Sequence, residues 1–173
     1  MRDYTRLTAT LSPEEAVQLL NVFFDCLVPP IEAEGGEVLK YMGDGLLAIF
    51  REGEGDRGRA AQAALTAAVQ GLAQLEAANS AGRFPSPISA GLALHHGEAA
   101  YGNVGSGVRL DFTVIGPDVN LASRIAQLNK VLDEPLLMSQ AFVDALSSQS
   151  ESLGAHAVDG FEKAVPIYRP SRT

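Results

Sequence analysis

The first long run of apolar residues recurs at helical spacing and begins after the segment SPEE at residues 12–15. Ser12 is the predicted N-cap, and Glu15 closes a capping box with it. The double proline at 29–30 interrupts the pattern and predicts a kink or a break, because proline removes a helix hydrogen bond. The glycine pair at 35–36 predicts where the segment ends.

Helical and alternating patterns follow one another along the rest of the chain. We expect further helices at 60 to about 79, at 117 to about 129 and from Ser139 to about 146. We expect strands at 37–41, 46–50, 88–95, 111–115 and 135–138, an extended segment at 99–104, and weaker strands at 155–158 and 165–168. The Asp-Gly pair inside 42–45 predicts a hairpin turn. The β–α–β–β–α–β order of the first hundred residues predicts a ferredoxin-like α/β sandwich, a mainly antiparallel sheet with helices packed on it.

Composition narrows the class of protein. A length of 173 residues suits one domain, residues 1–173, with 46% hydrophobic and 20% charged residues. The net charge of −8, with no basic tract, argues against a nucleic-acid groove but leaves room for one nucleotide held by a few cations and a metal. Cys26 is the single cysteine, lies in an apolar run and is predicted to be a core residue. No run of about 18 apolar residues stands out, so we expect no membrane contact by this domain and a cytoplasmic location.

Two segments carry candidate chemistry. Asp44 lies in a glycine-flanked turn, where a carboxylate suits Mg²⁺ or Mn²⁺, although Asp-Gly is also a common turn pair. Asn120 and Arg124 are four residues apart on a predicted helix, so they share a face and form a plausible grip for a phosphoryl group. The glycine-rich run at 102–107 matches neither a Walker A loop nor a Rossmann fingerprint and is predicted to be a turn.

Three motifs, in this order and spacing, carry a resemblance to a known family: KYMGDGLLAIF, GLALHHGEAAYGNVGS and RLDFTVIGPDVNLASR. Together they resemble the class III nucleotidyl cyclase catalytic domain, and VDGFEKAVPIYRP resembles that family's closing motif. The resemblance implies a ferredoxin-like fold, a head-to-tail homodimer with shared active sites, and ATP or GTP bound at the interface with two Mg²⁺ or Mn²⁺ ions. It also implies attack of the ribose 3′-hydroxyl on the α-phosphorus, with release of pyrophosphate.

The resemblance assigns roles to five residues of this chain. Asp44 matches a metal-binding aspartate, Asn120 matches the residue that orients the ribose, and Arg124 matches the arginine that stabilises the transition state. Lys40 and Thr113 match the two positions that recognise the base. Guanylate cyclases of the family tend to carry an acidic residue and a small polar residue or cysteine there, so this pair favours ATP. The resemblance therefore implies an adenylate cyclase that acts in intracellular signalling, and members of the family are usually the cytoplasmic domain of a larger sensor or membrane protein.

The chain departs from the family pattern at two places. When MRDYTRLT is aligned with the family's opening motif, Asp3 falls on a glycine position, and the first metal aspartate would lie just before Met1, inside the first strand. Asp159 stands where many members carry a triphosphate-binding lysine, and an acidic side chain there would repel phosphate. Lys163 is near in sequence. These departures keep open an alternative, a nucleotide-binding regulatory module with the cyclase fold and little turnover; an interaction domain without nucleotide binding is the third possibility.

Overall fold

The computed structural model describes residues 1–53, 56–106, 109–146 and 148–171. By their contacts these residues form two compact units. Unit 1 contains residues 1–51 and 63–90, and unit 2 contains residues 52–62 and 91–173. The division between the units falls within one long helix, and each unit is described separately below.

Unit 1 is a helical layer with one hairpin. Its elements are α1 (Tyr4–Thr8), α2 (Pro13–Ala33), β1 (Glu37–Met42), β2 (Gly45–Ile49) and the larger part of α3 (Arg57–Ser80). The apolar core joins α2, α3 and the segment after α3, and its buried residues are Leu19, Phe23, Cys26, Leu27, Leu75, Ala78, Phe84, Ile88 and Ala90. Cys26 is therefore the core residue that the sequence predicts, and burial raises the pKa of its thiol.

Helix α2 begins as predicted but continues through its two prolines. The Ser12 hydroxyl accepts from the Glu15 N–H at 3.2 Å, and a Glu15 carboxylate oxygen accepts from the Ser12 N–H at 2.7 Å, which completes the capping box. A break at Pro29 and Pro30 does not occur, because a single helix runs to Ala33. Pro30 is fully buried, so we attribute the tolerance of the missing hydrogen bonds to packing of its ring in the core.

Helix α2 also has the length and composition of a helix that could cross a membrane. The same test is passed by core helices of soluble proteins. Residues Leu19, Phe23, Cys26, Leu27 and Pro30 of α2 are buried within the structure. These residues place one face of α2 in the core of unit 1.

The β1–β2 hairpin and its turn at residues 42–45 are confirmed. Met42 pairs with Gly45, so the two loop residues are Gly43 and Asp44, and the Asp-Gly pair that suggested the turn does not itself form the loop. Gly43 has a φ of +64°, which a two-residue hairpin needs at its first position and which glycine adopts without strain. Asp44 is thereby placed at the tip of the hairpin.

Unit 2 is built on a four-stranded sheet of order β3-β6-β8-β7. Its strands are β3 (Leu92–Leu94), β6 (Leu136–Ser139), β7 (Ser150–His156) and β8 (Val165–Pro170), and β4 (Ala100–Ser106) pairs with β5 (Arg109–Ile115) in a separate ribbon. The helices are α4 (Pro117–Leu132) and α5 (Gln140–Ala145). Within the described residues, only β3 and β6 pair in parallel, so the predicted mainly antiparallel α/β arrangement with packed helices is confirmed.

Several element boundaries differ from the prediction. The strand predicted at 88–95 is shorter, because the Asn79 side chain bonds both the N–H and the carbonyl of Ile88, which occupies the groups a strand partner would use. Within the described residues no strand precedes α1, although the predicted order begins with one. The Arg2 backbone N–H donates to the Ser89 carbonyl, and α1 starts at Tyr4. Helix α4 extends past the predicted end at Asn129 to Leu132. The turn predicted at 102–107 is strand β4 as far as Ser106, and residue 107 lies outside the described residues.

Candidate functional site

In unit 1 the candidate residues lie on the β1–β2 hairpin. Asp44 is at its tip, with a partly exposed carboxylate, and the Met1 nitrogen lies 2.7 Å from its carbonyl oxygen and 3.4 Å from its Oδ2. Lys40 is exposed on β1 and pairs with Leu47 across the hairpin. The segment that begins at Met1 therefore runs beside the turn that presents Asp44.

The donors around Asp44 allow a limited test of the implied metal ions. In the part of the chain that the structure describes, no group of three or more His, Cys, Asp or Glu side chains is arranged to hold a metal. Mg²⁺, however, is commonly held by one or two carboxylates together with phosphate oxygens of a substrate. Asp44, at the tip of a hairpin, fits this kind of shared site and does not form a closed protein cage.

In unit 2 the candidate pair lies on the exposed side of α4. Residues Leu121, Ile125, Leu128 and Leu132 of α4 face the core around Leu137 and Ile167. Asn120 and Arg124 lie outside this apolar set. Both are exposed and lie one turn apart on the helix, as their spacing predicts. Within the described residues, the Arg124 guanidinium donates to Gln127 Oε1 at 3.5 Å, which is long for a hydrogen bond. The pair is therefore exposed for contact with a ligand.

Thr113 lies on β5, the strand that leads into α4. Its cross-strand partner is Gly102, and a Cβ at Gly102 would have no atom within 4 Å. Thr113 is half-buried. The missing side chain opposite Thr113 thus leaves open space where a ligand group can approach its hydroxyl.

One contact near the start of α4 was not found by sequence reasoning. Asp118 Oδ2 accepts from the Glu98 N–H at 2.8 Å, and Asp118 Oδ1 lies 3.3 Å from His95 Nε2. His96, the next residue along the chain, lies between β3 and β4 with its Nε2 2.8 Å from Glu52 Oε2. The two Asp118 contacts join residues 20 or more positions apart, so no local spacing predicts them.

Asp159 and Lys163 lie in the connection between β7 and β8. Both side chains are exposed, and Gly160, beside Asp159, has a φ of +86°. The neighbouring Val158 is buried and its carbonyl accepts from the Phe161 N–H at 3.0 Å. The turn is therefore fixed by its apolar and backbone contacts and presents an acidic side chain to solvent.

Asp3 has an unusual backbone conformation. It caps α1 with a φ of +54°, in the left-handed region that glycine favours. This agrees with the alignment that puts Asp3 on a glycine position. The agreement supports the register of the opening motif.

Comparison with known proteins gives one consistent result. The family model described as "Adenylate and Guanylate cyclase catalytic domain" matches residues 1–167. The chain is 33% identical over 180 residues to an adenylate cyclase of Anabaena cylindrica, covering 97% of this chain and 34% of that protein. The chain spans about a third or less of the length of the first curated relatives that it matches.

Solved structures resemble the whole chain. The guanylyl cyclase Cya2 is 27% identical with a TM-score of 0.83, over 97% of this chain and 86% of that chain. The adenylyl cyclase CyaB from P. aeruginosa has a TM-score of 0.85, over 99% of this chain and 90% of that chain, and at 24% identity it bears on the fold alone. Neighbours with each of the two nucleotide specificities thus share this fold.

Proposed function

The chain belongs to the adenylate and guanylate cyclase catalytic domain family, and on that premise we propose that it is an adenylate cyclase. It converts ATP into cyclic AMP and pyrophosphate, in the cytoplasm and in response to a signal. The observation that carries the proposal is the exposed pair Asn120 and Arg124, one turn apart on a helix whose adjoining apolar face packs in the core. The named adenylate cyclases among the relatives support it.

Arg124 is assigned to the α-phosphate. As the 3′-hydroxyl attacks the phosphorus and the bond to pyrophosphate breaks, negative charge grows on the phosphoryl oxygens. A guanidinium held in place over them stabilises that charge without reorganising, which is the main source of catalysis in such sites. The ordered backbone of α4, with Ile125 fully buried next to Arg124, provides this fixed placement.

Asn120 is assigned to the ribose. Its amide offers two donors and an acceptor, which suits the ring oxygen and hydroxyls of a sugar. Its position in the first turn of α4, where its own N–H bonds the Gly116 carbonyl at 3.2 Å, fixes the backbone from which the amide extends. Orienting the ribose sets the angle at which the 3′-hydroxyl meets the phosphorus.

Asp44 is assigned to two Mg²⁺ or Mn²⁺ ions. When bound, such ions lower the pKa of an attacking hydroxyl and neutralise charge on both the attacking and the leaving oxygens. The contribution of the chain is a carboxylate at the tip of a rigid two-residue turn, where phosphate oxygens can share the ions with it.

Lys40 and Thr113 are assigned to the adenine base. The lysine ammonium can donate to a ring nitrogen, and the threonine hydroxyl can accept from the exocyclic amine. The open space opposite Thr113 supports its approach to a base. We therefore propose ATP as the substrate in preference to GTP.

The complete site requires two copies of the chain. We propose a head-to-tail homodimer with two equivalent sites, in which Asp44 of one copy meets Asn120 and Arg124 of the other. Lys40 and Thr113 belong to the same site, and to the same copy of the chain, as the Asn120 and Arg124 with which they act. Solved cyclase structures with a bound nucleotide, such as a guanylate cyclase domain in complex with GTP, support a nucleotide as the substrate class.

The exposed Asp159 favours a second candidate function. A carboxylate at the position of a phosphate-binding lysine weakens triphosphate binding, as expected of a regulatory module that binds nucleotide but turns it over little. Arg124→Ala distinguishes the two functions. In an enzyme it lowers the rate of cyclic AMP formation, whereas in a binding module it leaves the low background rate of cyclic AMP formation unchanged.

The test is a direct assay of the purified protein. Incubation with ATP and Mn²⁺ is expected to give cyclic AMP, more than the cyclic GMP formed from GTP, and the product is expected to vanish with EDTA or in Asp44→Asn. Binding of a non-hydrolysable ATP analogue is measured by calorimetry in parallel. Binding without any product would support the regulatory module and overturn the enzyme.

A further inference from the structure

The start of α4 is held against the turn that precedes β4. Asp118 Oδ2 accepts from the Glu98 N–H at 2.8 Å. A Cβ added to Gly97 would lie 2.4 Å from the same oxygen, so the carboxylate rests directly on the glycine backbone of the turn. Gly116, just before α4, is also near this segment, since a Cβ there would lie 3.3 Å from the Glu98 carbonyl. Only a glycine at position 97 allows the carboxylate to approach this closely.

His95 is the buried side chain that contacts Asp118. Its side chain is 7% exposed, and its Nδ1 lies 2.7 Å from the hydroxyl of Ser139 while its Nε2 lies 3.3 Å from Asp118 Oδ1. The Ser139 hydroxyl already accepts from the Phe142 N–H at 3.2 Å, so its single hydrogen is available for Nδ1. A hydroxyl that donates to Nδ1 is compatible with an imidazole hydrogen on Nε2, the nitrogen that faces the carboxylate.

The Nε2 contact is electrostatic. Nε2 is buried and makes no hydrogen bond with any described residue, although it lies 3.3 Å from Asp118 Oδ1. The serine of this Ser–His–Asp group is not a nucleophile, because Ser139 is 2% exposed and its oxygen caps α5. The group therefore connects the end of β6 to the start of α4, and its serine hydroxyl is closed to a substrate.

We propose that Asp118, supported by His95, is a positioning residue that fixes the start of α4 and thereby places Asn120 and Arg124 for the reaction. This inference rests on the proposed function. The fully buried residues of α4, Ile125 and Asn129, lie in its middle and its last turn, and near its start the partly buried Leu121 packs against the core. Without Asp118, the first turn, which carries Asn120, loses its link to the Glu98 backbone and can shift about the Leu121 contact. A displacement of about 1 Å at reacting groups costs on the order of 10²-fold in rate.

The kinetic test compares Asp118→Ala, Asp118→Asn and a control. Asp118→Ala is expected to lower kcat about ten- to hundredfold, with a change of less than about threefold in KM for ATP. Asp118→Asn keeps an acceptor for the Glu98 N–H and is expected to retain most of the activity. Asp133→Asn removes the same charge at the other end of α4, where asparagine tolerates the left-handed backbone, and is expected to behave like the wild type.

The mechanism of the loss is tested in an Arg124→Ala background. If Asp118 acts by placing Arg124 and Asn120, Asp118→Ala costs much less there than in the wild type, because effects of residues that act as a unit are not additive. Equal losses in both backgrounds, or an unchanged kcat in Asp118→Ala, would overturn the inference while leaving the proposed function intact.

Hydrogen exchange separates this inference from the proposed function. In Asp118→Ala, amides of residues 118–121 are expected to exchange faster, with no such change in Asp133→Asn. This comparison needs no turnover. An inactive wild type would refute the proposed function, and exchange would still decide whether Asp118 anchors α4: unchanged protection in Asp118→Ala would overturn the anchor.

Discussion

The side-chain nitrogen of Asn129 lies 3.0 Å from the carbonyl of Leu92, which ties α4 to β3. The same nitrogen donates to the Glu134 carbonyl at 2.8 Å, and the residue is almost fully buried. A Cβ added to Gly91 would lie 2.7 Å from the Asn129 Cβ. A glycine at position 91 therefore allows the backbone there to approach α4 this closely. The helix that carries Asn120 and Arg124 is thus held by a buried polar link.

Asn129→Ala is expected to lower the free energy of unfolding by about 2–4 kcal/mol, because two carbonyls lose their buried donor. Chemical denaturation followed by circular dichroism measures this. Asn21→Ala, at an exposed position of α2, is the matched control and should change stability little. A loss in Asn129→Ala no larger than that of the control would show that the link contributes nothing.

Arg124→Ala is expected to lower kcat by roughly 10²–10³, equivalent to about 3–4 kcal/mol, because the charge developing on the α-phosphate loses its partner. KM for ATP should change much less. Arg59→Ala, which removes a highly exposed arginine of α3, serves as the control and should keep wild-type rates. If Arg124→Ala raises KM for ATP and leaves kcat unchanged, Arg124 binds the ground state and does not stabilise the transition state.

Lys40→Glu combined with Thr113→Cys is expected to shift the nucleotide preference toward GTP. The ratio of kcat/KM for ATP to that for GTP should fall about ten- to hundredfold, since one or two hydrogen bonds to the base change partner. Val131→Ala, at an exposed position of α4, is the control. If the ratio does not move, the base lies elsewhere.

Asp159→Lys is expected to strengthen ATP binding. Replacing an exposed negative charge by a positive one near the phosphates should lower KM about three- to tenfold at low salt, and the gain should shrink as salt screens it. Glu76→Lys, on an exposed position of α3, makes the same change of charge elsewhere. Equal effects of the two variants would point to net charge and leave Asp159 without a local role.

Local sequence signals predicted the elements with their own short-range chemistry. The capping box at Ser12, the hairpin around Asp44 and the N-cap at Ser139 all involve residues within three or four positions of one another. The continuation of α2 through Pro30 was missed, because burial in a core is a property of the folded chain. The shortened β3 was missed for a similar reason, since the Asn79 side chain that competes for Ile88 comes from α3.

The candidate site divides in the same way. Residues Asn120 and Arg124 were predicted to share an exposed helix face, and the structure places them there. Their roles, and those of Lys40, Asp44 and Thr113, came from the family resemblance and stay predictions. The His95–Asp118 contact was invisible in the sequence, because 22 intervening residues separate the two side chains and no spacing motif links them.

The central claim is that Asp44 and Arg124 work in one site built from two copies of the chain. Asp44→Ala and Arg124→Ala are each expected to be nearly inactive alone. Mixed in equal amounts and allowed to exchange subunits, they should regain about a quarter of the wild-type rate of cyclic AMP formation, because half of the dimers then hold one intact site of two. No regained activity, with mixed dimers confirmed by native mass spectrometry, would contradict the shared site.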